Sequence, residues 1–213
     1  MKIQDWPKTV KSPVIVLAGA AHGQNVERYR KRWPNVRYAL FEPNTTYHGK
    51  LARFARDPRV LFEPKALSDK RGQATFYENE LARVSSLYPG NPDDTWGESI
   101  GAGERETTVE CETLDLFCQE HDIPRIGFIE LDAQGGELNA LKGASGLLSR
   151  KAIDCLMVEM FWQEVYKGGS RAGEVNQFLT GFGYVCLGKT KQRPWGDGIK
   201  RWGDMIYIRG QNG

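Results

Sequence analysis

Short, wholly apolar runs alternate with stretches of helical pattern along most of this chain. Val14-Ile15-Val16-Leu17 is apolar at every position and stops at Gly19, which predicts a strand buried on both faces. Residues 24–33 have helical composition, and Pro34-Asn35 breaks them. Residues 36–41 predict a second buried strand, ending in Glu42-Pro43-Asn44. Residues 45–56 predict a helix with Asn44 or Thr45 as its cap. Residues 60–67 predict a third strand, 68–72 a turn, and 73–77 alternate like a hairpin partner.

Residues 84–107 change character, with Pro89, Gly90, Asn91, Pro92, Gly97, Gly101 and Gly103 and few aliphatics. So long an irregular stretch in a compact domain reads as a functional loop, here a lid or acceptor loop. Regularity returns at 109–111, followed by a helix over 113–121 with Thr113 as cap. A fourth buried strand over 126–131 ends in Asp132-Ala133-Gln134-Gly135-Gly136, and a helix over 137–148 follows. A fifth strand over 153–158 ends at Glu159, a helix spans 171–179, and late strands cover 184–187 and 205–208. Strands alternating with helices imply right-handed crossovers and a doubly wound, mostly parallel α/β sheet. The last two strands have only a loop, 189–203, between them, which predicts an antiparallel pair at one sheet edge. The 213 residues suit one domain.

Charge and composition narrow the function classes. A formal net charge of +2 gives no reason to expect nucleic-acid wrapping or membrane coating. No apolar run approaches the roughly 20 residues of a membrane span, and residues 1–11 are polar rather than a leader. The four cysteines, Cys111, Cys118, Cys155 and Cys186, form no C-x-x-C pair, so they predict neither a zinc ribbon nor a thioredoxin motif. A cytoplasmic protein acting on a small molecule is the expectation.

In open α/β sheets ligands bind at the C-terminal ends of the strands, and three strand ends here carry candidate groups. The first is Gly19-Ala20-Ala21-His22-Gly23, whose small residues allow close backbone approach to a ligand. It is neither G-x-G-x-x-G nor a Walker loop, and a glycine turn of this kind also serves plain packing. The second is Glu42, 23 positions beyond Gly19, near the offset at which an acid grips ribose hydroxyls. The third is Asp132, which would face a cationic part of a ligand or cap the next helix; position alone does not decide.

Together these segments resemble the FkbM-type methyltransferase family. The matching pieces are Gly19-Ala20 through Gly23-Gln24, Phe41-Glu42-Pro43-Asn44, Ala66-Leu67-Ser68-Asp69, Thr113-Leu114-Asp115, Asp132 to Glu137 with Leu141-Lys142-Gly143-Ala144, and Val158-Glu159. The resemblance implies a class I methyltransferase fold, S-adenosylmethionine as donor, and O-methylation of a sugar, polyketide or similar small metabolite. It implies cofactor contacts from Gly19, Ala20, Gly23, Glu42, Ser68 and Asp132. This chain departs from the family pattern at Leu17, where an Asp is usual, at Ala21, where Asn or His is usual, and at Glu130, where Lys is usual.

Methyl transfer to a hydroxyl needs alignment, exclusion of water and a proton acceptor, but no metal. His22, Asp132 and Glu159 are the candidates for that base. Tyr88 and Trp96, in the irregular stretch, and Trp162 and Tyr166, past the fifth strand, could face an acceptor or simply fill core. Leu17 and Ala21 favour an alternative, a degenerate non-catalytic relative serving as a binding or scaffold protein. A nicotinamide-dependent reductase lacks both its glycine fingerprint and a Tyr-x-x-x-Lys pair. The pattern leaves the oligomeric state open, a homodimer included.

Overall fold

The computed structural model describes residues 14–192 and 201–210. Its first half carries β1 (Val14–Ala18), α1 (Gln24–Arg32), β2 (Arg37–Phe41), α2 (Thr45–Leu51), β3 (Val60–Glu63), β4 (Ala66–Leu67) and β5 (Gly72–Asn79). Then come α3 (Thr95–Gly101), β6 (Glu104–Glu112), α4 (Leu114–Glu120), β7 (Ile126–Leu131), α5 (Glu137–Lys142) and α6 (Ser145–Ser149). The chain closes with β8 (Ile153–Phe161), α7 (Ala172–Gly181), β9 (Tyr184–Gln192) and β10 (Trp202–Arg209).

The main sheet has seven strands in the order β3-β2-β1-β7-β8-β10-β9. The first five are parallel, as their continuous apolar runs require. β10 inserts antiparallel between β8 and the edge strand β9, so the expected antiparallel pair is present. One apolar layer lies beneath α4 to α7 and the other beneath α1 and α2. Strand order reverses between β1 and β7, the crevice where open α/β sheets bind ligands.

Three expectations change. The apolar run 60–67 is two strands, because Pro64 cannot continue a ladder. β3 joins the main sheet, and β4 joins a second sheet of order β4-β6-β5. The stretch 84–107 is not irregular throughout, since it holds α3 and the start of β6. Asp94 caps α3 through the backbone N–H groups of Trp96 and Gly97, and Asp94 is ion-paired with buried Arg201 at 3.2 Å. The helix predicted over 137–148 is divided at Gly143-Ala144, where Asp115 accepts the N–H groups of Gly146 and Leu147 at the start of α6.

Several of the quoted motif pieces are thereby fold staples. Thr113 caps α4 through the N–H of Leu116. A Cβ on Gly143 would stand 2.0 Å from the Ser68 carbonyl oxygen, so only glycine permits that contact. Among the described residues no helix is long and apolar enough to cross a membrane.

Candidate active site

β1 and β7 end side by side, and their loops touch. A Cβ on Gly19 would fall 2.0 Å from the Asp132 carbonyl oxygen, and Gly19 has φ of +77°. Glycine meets both demands there. Ala21 also takes a positive φ, 45°, which turns its N–H toward the end of β2. Glu42 receives that N–H on Oε2 at 2.8 Å and the N–H of Asn44 on Oε1 at 2.9 Å. The carboxyl, only 5% exposed, joins the two loops, and burial pushes it up to about 7.

The loop after β7 is built around Gln134 and Glu137. Glu137 accepts the N–H groups of Ala133 and Gly135 and the Ser170 hydroxyl, at 2.9, 3.2 and 3.0 Å. It therefore braces the loop rather than only complementing a helix terminus, and burial pushes it up to about 7. Gln134, at φ of 49°, donates from Nε2 to Asp132 Oδ1 and to Glu159 Oε2, each at 2.6 Å. Its Oε1 receives the Tyr166 hydroxyl at 2.6 Å, which fixes which end of the amide faces the acids.

Asp132 and Glu159 share that one amide donor, so two buried carboxyls crowd a single amide nitrogen. Burial holds both carboxyls above the usual range, and the Asp132 charge raises Glu159 further. Asp132 caps no helix: the residue before α5 is Gly136, and it forms no side-chain cap.

Glu42, Asp132 and Glu159 converge on one cavity of about 510 Å³, together with Gly19, Ala21 and Gln134. That size suits a small-molecule site. Its far wall comes from the second sheet and α3, through Phe76, Trp96 and Ile100. The wall is anchored: Asn91 donates to the Glu164 carbonyl at 2.6 Å, and Ser86 donates to that of Gln134 at 2.6 Å.

Other expected residues stand elsewhere. His22 is exposed, sits 3.0 Å from Lys50 Nζ, lies edge-on to Tyr47, and does not line the cavity. Ala20, Gly23 and Ser68 also lie off the cavity lining. Ala20 accepts the Gly23 N–H, and the Ser68 N–H pairs with Glu112. Of the aromatics, Trp96 lines the cavity, whereas the Tyr88 hydroxyl accepts from the Asn139 amide and Tyr166 is buried.

Sequence reasoning missed Gln134, Trp202 and Asn25, which all line the cavity. Asn25 donates to Glu130 Oε1 at 2.6 Å, and burial pushes Glu130 up to about 7. Leu17 and Glu130, two of the departures from the family pattern, are partners in register across β1 and β7. Leu17 is 2% exposed and belongs to the core under α1.

The sheet order, the crevice at the strand reversal and the acids around it define the class I methyltransferase fold. The methyltransferase FkbM domain matches residues 18–186, and the chain belongs to that family. No curated protein matches it in sequence. Among solved structures it is similar to precorrin-6y C5,15-methyltransferase from Geobacter metallireducens GS-15, with 13% identity and a TM-score of 0.51. The similarity covers 93% of this chain and 81% of that one, and it shows the fold alone. A looser likeness is to Burkholderia thailandensis 1,6-didemethyltoxoflavin-N1-methyltransferase, with 11% identity, a TM-score of 0.47, and coverage of 94% and 72%.

Proposed function

We propose that this protein moves a methyl group from S-adenosylmethionine to a hydroxyl of a small metabolite. The observation that carries the reading is the convergence on one cavity of Glu42 and Asp132, just past the ends of β2 and β7, and Glu159, among the last residues of β8. The donor set fits the cofactor. Each Glu42 oxygen accepts one backbone N–H and keeps a second lone pair for a ribose hydroxyl. The small residues Gly19 and Ala21 leave room on the first loop, and Asp132 offers a carboxylate to a cation.

The bound donor supplies a methyl carbon on a sulfonium whose sulfur leaves as a neutral thioether. The protein supplies alignment, a dry cavity and a base. The wall made by residues 84–107 with the second sheet encloses the acceptor side. An ionised carboxylate of the Asp132–Glu159 pair takes the acceptor's proton, and burial, which raises the proton affinity of both groups, suits them to that task. Gln134 holds both carboxyls in place, and Tyr166 holds Gln134. His22 is too far outside the cavity lining to serve.

A second reading, a degenerate relative serving as a binding or scaffold protein without catalysis, draws on Ala21, which gives the cavity no polar side chain, and on Leu17, an apolar core residue of β1 where the family usually has an acid. Calorimetry with S-adenosylhomocysteine and transfer of tritium from labelled S-adenosylmethionine separate the readings. Binding plus transfer supports the enzyme; absence of transfer to any hydroxyl compound, with or without binding, overturns the enzyme and supports the second reading.

A further inference from the structure

We propose that Trp202 reads the methyl acceptor, and that the acceptor is a flat aromatic compound with a neutral carbonyl oxygen beside its reacting hydroxyl. This rests on the methyltransferase reading above and names the substrate class for the same site.

The starting point is an orphaned donor. Trp202 Nε1 is buried and has no hydrogen-bond partner among the described residues, although Trp202 lines the cavity. An indole N–H can only donate, so whatever satisfies it must present an acceptor atom. Buried donors are rarely left unpaired, and those that are call for an explanation.

Register places this donor relative to the base. Trp202 pairs with Phe161 and Asp204 pairs with Glu159 across β10 and β8. Trp202 thus stands on the same face as Glu159, two residues further out, about 6.8 Å along the strand. A molecule giving its hydroxyl proton to the Asp132–Glu159 pair can reach Trp202 with a neighbouring oxygen.

The surroundings choose the body and the charge of that molecule. Trp96, Phe76, Leu87 and Ile100 line the same cavity and present flat or apolar surface. Trp96 and Trp202 rest on one small core with Phe161 and Tyr166, so the aromatic wall is backed by packed side chains. Such a wall favours a planar ring. The adjacent acid pair repels a second anion, so a ketone or aldehyde oxygen fits better than a carboxylate.

The test uses the protein saturated with S-adenosylhomocysteine, titrated calorimetrically with ortho-hydroxyacetophenone and with ortho-ethylphenol, which has a similar shape without the carbonyl. The expected result is at least about tenfold tighter binding of the ketone. Trp202→Phe keeps a ring in place and removes the N–H; with its fold checked by circular dichroism, it should erase that preference. A preference that survives in Trp202→Phe overturns the role of Trp202. Absence of aromatic binding, or stronger binding of methyl glucoside, overturns the substrate class while the donor reading stands. Absence of S-adenosylhomocysteine binding overturns both.

Discussion

Asp132 and Glu159 stand on neighbouring strands and share one amide nitrogen, Gln134 Nε2, at 2.6 Å from each carboxyl. Two buried acids so placed cannot both ionise freely, which is why both are held above their usual range. Asp132→Asn removes one charge and keeps the shape. It should weaken S-adenosylmethionine binding by roughly tenfold, about 1.4 kcal/mol, because a sulfonium and an ammonium lose a counter-charge. The ligand-free protein should melt no lower at pH 8 than the parent, since a crowded acid pair has been relieved. Calorimetry and melting on the same sample check both. A drop in melting temperature with unchanged affinity would return Asp132 to a purely structural role.

Glu42 ties the loop after β1 to the turn after β2 through the N–H groups of Ala21 and Asn44. Its removal is therefore not a pure binding change, although a strand-end acid would ordinarily be expected to leave folding alone. Glu42→Ala leaves two N–H groups without their acceptor, at about 1–3 kcal/mol for each that stays dry. Glu42→Gln keeps one acceptor oxygen. The expectation is weakened S-adenosylmethionine binding in both variants and a clearly lowered melting temperature in the Ala variant alone. Equal melting temperatures would show that water replaces the carboxyl in the loop.

Gly143 shows what a motif can hide. It belongs to the matched stretch Leu141 to Ala144, yet its work is to let the chain pass the Ser68 carbonyl where a Cβ would stand 2.0 Å away. Gly143→Ala should destabilise the fold by roughly 1–3 kcal/mol, as overpacking does, and should leave affinity for S-adenosylhomocysteine nearly unchanged in the fraction that folds. Urea denaturation measures the first and calorimetry the second. A variant as stable as the parent would mean that the two loops separate without cost.

The parallel strands and their terminal acids were legible because a strand buried on both faces is a continuous apolar run. The residue where such a run stops is placed automatically at the sheet edge. Glu159 interrupts its apolar run without ending it, since β8 continues to Phe161 through pairing with β10, whereas Glu42 and Asp132 follow from that rule. Gln134 does not, since an amide in a glycine loop has no periodicity and its role depends on Tyr166, brought near from 32 residues away. Trp202 reaches the cavity only through antiparallel pairing with β8. The second sheet was obscured because β4 is two residues long and continues the apolar run of β3 past Pro64.

Gln134 gives the sharpest test of the paired acids. Its N–H favours the ionised form of Asp132, against the burial that opposes it. Replacing it by Leu keeps the bulk and removes that donor, so the pair should hold its proton to higher pH. A cationic donor binds the ionised pair better, so affinity for S-adenosylmethionine should rise with pH as the pair loses its proton and then level off. In Gln134→Leu the whole rise should move to higher pH. S-adenosylhomocysteine lacks the sulfonium charge and should show a shallower profile in both proteins. A purely structural effect of the substitution would lower affinity by the same factor at every pH and leave the midpoint where it was. Calorimetric titrations from the ordinary carboxylate range upward distinguish these outcomes, and an unmoved midpoint with uniformly weaker binding would remove Gln134 from the control of the acid pair.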